Sequence, residues 1–297
     1  MMSEARRVLV TGATGFIGGH LVRRLVGEGF EVHAIVRPRS VDCIDGVTVH
    51  VHDGSTAGAV AILEAVAPDI VYHLASLFLS THTEGDVEAL VNSNVLFGTQ
   101  LLEAMKLAGC TRLVNAGTGW QHFSGPDYDP VNLYAATKQA FEDIALFYVA
   151  LGISTVTLSL YDSYGPDDPR PKILPLLIRS AFGERSLELS AGEQLLHIVY
   201  IDDITNAFML AGELLNRSQS PMCARYAVAA DTPVSLRELV AAVEHAAGRR
   251  IDAHWGARPY RSREVMTPWV GERLPGWAPQ IALDEGVHRV IAAMGYL

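Results

Sequence analysis

Tyr134 and Lys138 stand four residues apart in Tyr134-Ala135-Ala136-Thr137-Lys138, a spacing that sets a phenol and an ammonium on one face of a helix. A phenol with the ordinary pKa of about 10 is a poor acid–base catalyst at neutral pH; a neighbouring cation favours its phenolate and lowers that value. The pair can therefore shuttle a proton. In a chain with 10 tyrosines and three lysines among 297 residues, chance supplies roughly 0.1 such pairs. The bland alternative is a contact on a helix surface.

A second pattern is Thr11-Gly12-Ala13-Thr14-Gly15-Phe16-Ile17-Gly18, with glycines at three-residue intervals. It lies between the apolar run Val8–Val10 and a helical pattern over His20–Val26. Missing side chains there let the turn close tightly and bring backbone amides at a helix N-terminus up to a pyrophosphate; a turn whose glycines serve only its own geometry is the alternative. Dinucleotide folds that prefer NAD end their second strand on an acid that holds the adenosine ribose hydroxyls. Here that strand, Glu31–Val36, ends on Val36, and Arg37 and Arg39 follow. These cations stand where a 2′-phosphate would sit and predict NADP(H), unless both are merely solvated loop residues. Asp53, in the next turn, is placed either to accept from the adenine amino group or to serve that turn alone.

Elements must hold these groups. Further strands are expected at 70–74, 113–115 and 155–158, with helices over 56–67, 87–108 and 134–151. Strands alternating with helices predict an α/β fold with a doubly wound parallel sheet of the Rossmann type. The alternation breaks at Gly165-Pro166-Asp167-Asp168-Pro169-Arg170-Pro171, because closely spaced prolines continue neither strand nor helix. The expected organisation is a dinucleotide-binding domain over 1–165, with 196–230 returning to it. A smaller mixed C-terminal substrate-binding domain covers 166–195 and 231–297, with helices near 174–182, 235–247 and 284–294.

Composition narrows the partners. A chain that is 49% hydrophobic fills a substantial core, and its 33 acidic against 23 basic residues, a formal charge of -10, disfavour nucleic acid. Cys43, Cys110 and Cys223 are too scattered for a disulfide scaffold or a structural zinc, and the histidines show no helical cluster with a carboxylate, so no metal is expected. No stretch reaches the length of a membrane span, and the first residues lack the apolar core of a signal peptide. A reducing, cytoplasmic setting is expected.

Taken together, the glycine loop, the Tyr134/Lys138 pair and their separation resemble the extended short-chain dehydrogenase/reductases, the NAD-dependent epimerase/dehydratase family, over almost the whole chain. His73-Leu74-Ala75-Ser76 resembles that family's segment passing the cofactor, and Asn94-Val95-Leu96-Phe97-Gly98-Thr99 its helix segment. Tyr164-Gly165-Pro166, Val199-Tyr200-Ile201-Asp202-Asp203 and Gly276-Trp277-Ala278-Pro279 match later signatures. The resemblance implies that Tyr134 is the acid/base, that Lys138 also binds the nicotinamide ribose, and that Thr118 hydrogen-bonds the reacting sugar oxygen. It implies cofactor contacts from Gly12, Thr14, Gly15, Phe16, Ile17, Gly18, Leu74, Ala75, Ser76, Asn94, Tyr161, Ser163 and Tyr164 besides Tyr134 and Lys138. It also implies a homodimer through the two long helices, whose apolar surplus is read from Leu90, Val91, Leu101, Leu102 and Met105.

Departures are informative too. Dehydratases of this branch carry Thr-Asp-Glu where this chain has Thr118-Gly119-Trp120, which disfavours elimination. Ser159-Leu160-Tyr161-Asp162 replaces an Arg-Tyr-Phe-Asn-like strand end, and Leu196-His197 an Arg-Asp pair. The residues from Asn115 to Phe141 and the Asp167–Lys172 loop most resemble CDP-abequose synthase-like nucleotide-sugar 4-ketoreductases. Trp120, Gln121 and His122 are candidates for the sugar pocket, or else a buried aromatic with polar loop residues. Arg170, Lys172 and Arg261 are candidates for the diphosphate, or else solvated cations. The reading is an NADPH-dependent 4-ketoreductase acting on a nucleotide-diphosphate sugar. An epimerase with tightly bound NAD is the alternative, and a non-catalytic dinucleotide-binding regulator a more distant one.

Overall fold

The computed structural model describes residues 6–38, 44–183 and 186–297. Its first half alternates strand and helix: β1 (Arg7–Thr11), α1 (Phe16–Gly27), β2 (Glu31–Val36), β3 (Val47–Val51), α2 (Thr56–Val66) and β4 (Ile70–His73). There follow α3 (Val87–Val91), a π-helical turn (Asn92–Leu96), α4 (Phe97–Ala108), β5 (Arg112–Thr118), α5 (Leu133–Val149) and β6 (Ser154–Leu160). The second half holds β7 (Asp162–Tyr164), α6 (Ile173–Ala181), β8 (Leu187–Leu189), β9 (Leu195–Leu196), β10 (Ile198–Tyr200), α7 (Ile201–Arg217) and β11 (Cys223–Val228). It ends with β12 (Val234–Ser235), α8 (Leu236–Ala247), β13 (Ala253–Trp255) and α9 (Leu283–Ala293).

Seven parallel strands form the main sheet in the order β11-β6-β5-β4-β1-β2-β3. Its central strands are buried on both faces; Val8, Leu9, Val10, Leu113 and Val114 are fully covered, as a parallel sheet between helical layers requires. Strand order reverses between β1 and β4, which opens a crevice beyond their carboxyl ends. The glycine loop and residues 74–76 lie at those two ends.

Local chemistry sets the helix starts. The Asn132 side chain accepts from the Ala135 amide at 3.0 Å to begin α5, Ser55 caps α2 through Gly58 at 2.9 Å, and Ser235 with Glu238 makes a reciprocal capping box for α8. The continuous helix expected over 87–108 is instead interrupted by the π turn. That wider turn carries Asn94 inward, where its carboxamide oxygen accepts from Leu77 N (2.7 Å) and Ser76 Oγ (3.1 Å). Its nitrogen donates to Leu77 O and Thr137 Oγ1, each at 3.0 Å.

A second hydrophobic core lies on the C-terminal side, built by Leu174, Leu177 and Ile178 of α6, Leu239 and Val243 of α8, and Val287 and Ile291 of α9. Short strands stitch it: β7 with β10, β8 with β13, and β9 with β12. The late signatures act as struts there: the Asp203 carboxylate accepts from Gln280 N and Ile281 N, both at 3.0 Å, and Trp277 donates to Asp203 O at 2.8 Å. Among the described residues no helix is long and apolar enough to cross a membrane.

The apolar surplus of the long helices is distributed differently from the expectation. Leu90, Leu101, Leu102 and Met105 are fully buried within the chain's own core, whereas the exposed apolar face comprises Val91, Leu107, Leu146, Leu151 and Phe147, the last 62% exposed.

Candidate active site

The glycine loop is shaped by close approach. Gly12 has φ +74°, and a Cβ on it would lie 2.6 Å from the Ala75 amide nitrogen; a Cβ on Gly18 would lie 2.0 Å from the Gly12 carbonyl oxygen. Only glycine fits either place. Gly15 caps α1 without any side-chain bond, so the first-turn amides at Phe16, Ile17 and Gly18 are left to the loop, beside an exposed Thr14. Leu74 and Ala75 are tied to Thr11 by Leu74 N to Thr11 O (3.1 Å) and Ala75 N to Thr11 Oγ1 (3.2 Å). This backbone cradle has the form that a dinucleotide diphosphate requires. His73, whose Nδ1 lies 2.8 Å from Thr11 Oγ1, is pushed down to about 3 by burial, so it stays neutral and serves the cradle's framework.

Arg37 is exposed just past β2 and has no ion-pair partner among the described residues; Arg39 lies outside them. Asp53 performs the turn role, accepting at 2.8 Å from both the amide and the hydroxyl of Ser55. Those bonds hold its carboxyl below the usual carboxylate range.

Tyr134 and Lys138 fall on successive turns of α5, as their spacing requires. The Tyr134 phenol is partly buried, interacts with the Ser76 and Thr118 hydroxyls, and packs edge-on against Phe78 with 5.0 Å between ring centres. Burial pushes it up to about 12, while the two hydroxyls and the Arg170 charge pull the other way. This differs from the expected lowering by Lys138: desolvation outweighs the two hydroxyls and the Arg170 charge, and the phenol keeps its proton at neutral pH. The Lys138 side chain is 1% exposed, and its ammonium forms no hydrogen bond or ion pair among the described residues. Burial pushes it down to about 8 against the opposing charge of Glu142. Thr118, at the end of β5, accepts from Trp120 N at 3.3 Å.

Several expected contacts go elsewhere. Gln121 is fully buried, with its amide donating to Gln139 Oε1 (2.8 Å) and Glu142 Oε1 (3.0 Å). His122 is held by Asp127 O at 3.0 Å and Arg225 at 3.2 Å. Arg225 also pairs with Glu142, so Gln121 and His122 belong to one buried polar cluster. Tyr161 donates to Trp269 O at 2.7 Å, and Tyr164 is 3% exposed within the C-terminal core, so neither hydroxyl points at the cradle. The Asn94 carboxamide is fully used inside the chain and supports Ser76 from behind. Ser163 accepts from Arg170 at 3.0 Å. Arg170 clasps both oxygens of Asp168 at 2.7 Å and stacks over Phe16, so it is already committed.

Trp120, Lys172 and Arg261 are linked through ring contacts that include Phe78. The Lys172 ammonium lies 4.5 Å from the Phe78 ring centre, Phe78 lies 5.5 Å from Trp120, and the Arg261 guanidinium lies 5.4 Å from Trp120. Arg261 donates from Nε and Nη2 to Glu264 at 2.9 and 2.8 Å, which leaves Nη1 without a bond among the described residues. Sequence reasoning missed Phe78, Asp162, Glu142 and Arg225. Arg225 stands 83 residues from Glu142, and no local pattern signals that pairing.

Comparisons agree with this geometry. The model of the NAD dependent epimerase/dehydratase family matches residues 8–226. The CDP-abequose synthase of Yersinia pseudotuberculosis is 26% identical over 88% of this chain and 91% of its own length. The UDP-glucose 4-epimerase of Mycolicibacterium smegmatis is also 26% identical, over 96% of this chain and 97% of its own. Among solved structures, MoeE5 in complex with UDP-glucuronic acid and NAD superposes with a TM-score of 0.83 at 26% identity, covering 97% of this chain and 99% of that one. With the Tyr134/Lys138 helix, the glycine cradle and a family match spanning both, the chain belongs to the NAD dependent epimerase/dehydratase family.

Proposed function

We propose that the chain reduces the 4-keto group of a nucleotide-linked 4-keto-6-deoxyhexose with NADPH. The observation that carries this reading is the grouping of the Tyr134 phenol with the Ser76 and Thr118 hydroxyls, on the helix that also carries the buried Lys138 ammonium, the arrangement a proton transfer to a carbonyl oxygen needs. Similarity to a CDP-abequose synthase supports the substrate class, and the nicotinamide, when bound, supplies the hydride. Thr118 Oγ1 and Ser76 Oγ orient the sugar oxygen, Tyr134 Oη delivers the proton, and Lys138 binds the nicotinamide ribose and keeps a positive charge behind the phenol. Arg261, through Nη1, meets the diphosphate beside Trp120. Residues 1–165 with 196–230 form the cofactor side and residues 166–195 with 231–297 the substrate side.

The second reading is an epimerase, favoured by the equal identity to a UDP-glucose 4-epimerase. Incubation with NADPH and a panel of CDP-, dTDP-, UDP- and GDP-linked 4-keto-6-deoxy sugars separates the two. Stoichiometric NADPH oxidation with a 4-hydroxy product is the expected result. Interconversion of nucleotide hexoses without added cofactor would replace it with the epimerase.

Lys138→Met is expected to weaken cofactor binding and turnover by about tenfold or more each, since one ammonium serves ribose and phenol together. Wild-type turnover is expected to fall as pH rises through about 8, where Lys138 loses its proton, and the variant to lose that limb. An unchanged cofactor dissociation constant would refute the dual role.

The exposed apolar face of α3, α4 and α5 is proposed to pair with its copy as a four-helix bundle. Sedimentation at micromolar concentration is expected to give twice the chain mass of 32.2 kDa, and Phe147→Asp to give the monomer. A monomeric wild-type chain contradicts this.

A further inference from the structure

We infer that Asp162 and Lys172 together form a subsite for one hydroxyl group of the bound sugar, beside Tyr134, and thereby select which sugars are accepted. This rests on the sugar substrate proposed above and adds to it the chemistry of one contact. Asp162 and Lys172 line one cavity with Ser163, Tyr164, Asp168 and Ile198. Among the described residues the Asp162 carboxylate takes part in no hydrogen bond or ion pair, although its own amide donates to His197 O at 3.1 Å. The Lys172 ammonium likewise has no hydrogen bond or ion pair there and rests over the Phe78 ring. Phe78 in turn packs on the Tyr134 ring, so the cavity lies one aromatic side chain from the acid.

The charges around this cavity balance. Arg170 is clasped by Asp168 and Arg261 by Glu264, which leaves Asp162 and Lys172, whose charges act on each other along the same cavity, without an ion pair between them among the described residues. A carboxylate only accepts and an ammonium only donates. A hydroxyl does both and bridges the two. A diphosphate oxygen would satisfy Lys172 but be repelled by Asp162, and a sugar ammonium the reverse. Lys172 is therefore taken from the diphosphate, where the sequence had placed it, and given to a neutral polar group. Burial supports the need for such a group: it pushes the Asp162 carboxyl up and the Lys172 ammonium down, a cost that a bridging hydroxyl reduces.

The test is titration calorimetry of the NADP-loaded protein with CDP-glucose and UDP-glucose and their monodeoxy analogues, which needs no reduction. Asp162→Leu is expected to weaken binding of the better parent sugar about tenfold. For one monodeoxy analogue the wild type is weakened to a similar degree and Asp162→Leu adds less than twofold. Asp162→Asn, which keeps an acceptor oxygen, is expected to lose no more than about threefold, and Lys172→Met to show the same pattern as Asp162→Leu. Asp162→Leu weakening every analogue by one factor, or none, overturns the subsite while leaving the 4-ketoreductase reading intact. Binding with this coupling but no reduction of any ketosugar supports the subsite and removes the proposed reaction; no binding of either parent sugar removes both.

Discussion

Tyr134→Phe is expected to lower turnover by at least about 100-fold, the ordinary contribution of a positioned general acid, while the cofactor dissociation constant stays within about twofold. The variant loses one hydroxyl and keeps the ring, so the edge-on contact with Phe78 and the start of α5 at Asn132 survive. What disappears is the phenolic hydroxyl that interacts with both the Ser76 and Thr118 hydroxyls. Stopped-flow measurement of NADPH oxidation separates this from a slow release step: the single-turnover rate is expected to fall as far as kcat. Near-wild-type turnover would remove Tyr134 from the chemistry and leave Thr118 without a partner in it.

NADPH is expected to bind more tightly than NADH, by about 1.5–3 kcal/mol if one charge-assisted hydrogen bond is gained, a factor of roughly ten to a hundred or more. The 2′-phosphate carries about two negative charges. An aspartate at the end of β2 would repel it, but Val36 is buried there and the Arg37 guanidinium stands exposed without an ion-pair partner among the described residues. Replacing Arg37 and Arg39 together with alanine is expected to erase most of the preference and to leave NADH affinity nearly unchanged, because NADH has no group for either cation. Fluorescence titration of both cofactors measures it. Equal affinities in the unmodified protein, or NAD retained through purification, would move the epimerase reading ahead.

What could be read from the sequence was whatever local spacing decides. The glycine loop, the strand Glu31–Val36 and the four-residue step from Tyr134 to Lys138 each depend on neighbours a few residues away, and each stands in the structure where its pattern put it. Strands of two or three residues such as Leu195–Leu196 and Leu187–Leu189 are too short to show a period, and their pairing is settled by the C-terminal core. The π turn at Asn92–Leu96 left no trace in composition, since its cause is a carboxamide reaching Ser76 and Leu77 in another segment. Gln121 and His122 misled because their types suit a sugar pocket equally well. Their direction is set by Arg225, far along the chain. Arg170 could have been read better: its partner Asp168 stands only two residues away.

The cluster joining Gln121, Gln139 and Glu142 to Arg225 also bears on the order in which α5 acquires its contacts. Glu142 lies on α5, two helical turns after Tyr134, and its counter-ion comes from β11, the last strand added to the main sheet. Until residue 225 docks, the carboxylate lacks its guanidinium partner and has only the Lys138 charge on its own helix beside it. The glycine loop and residues 74–75 meet through the neighbouring strands β1 and β4, whereas the Tyr134/Lys138 helix also draws on a contact of long sequence separation, Glu142 with Arg225. A chain truncated before β11 is therefore expected to form the cradle while leaving Glu142 without its Arg225 partner.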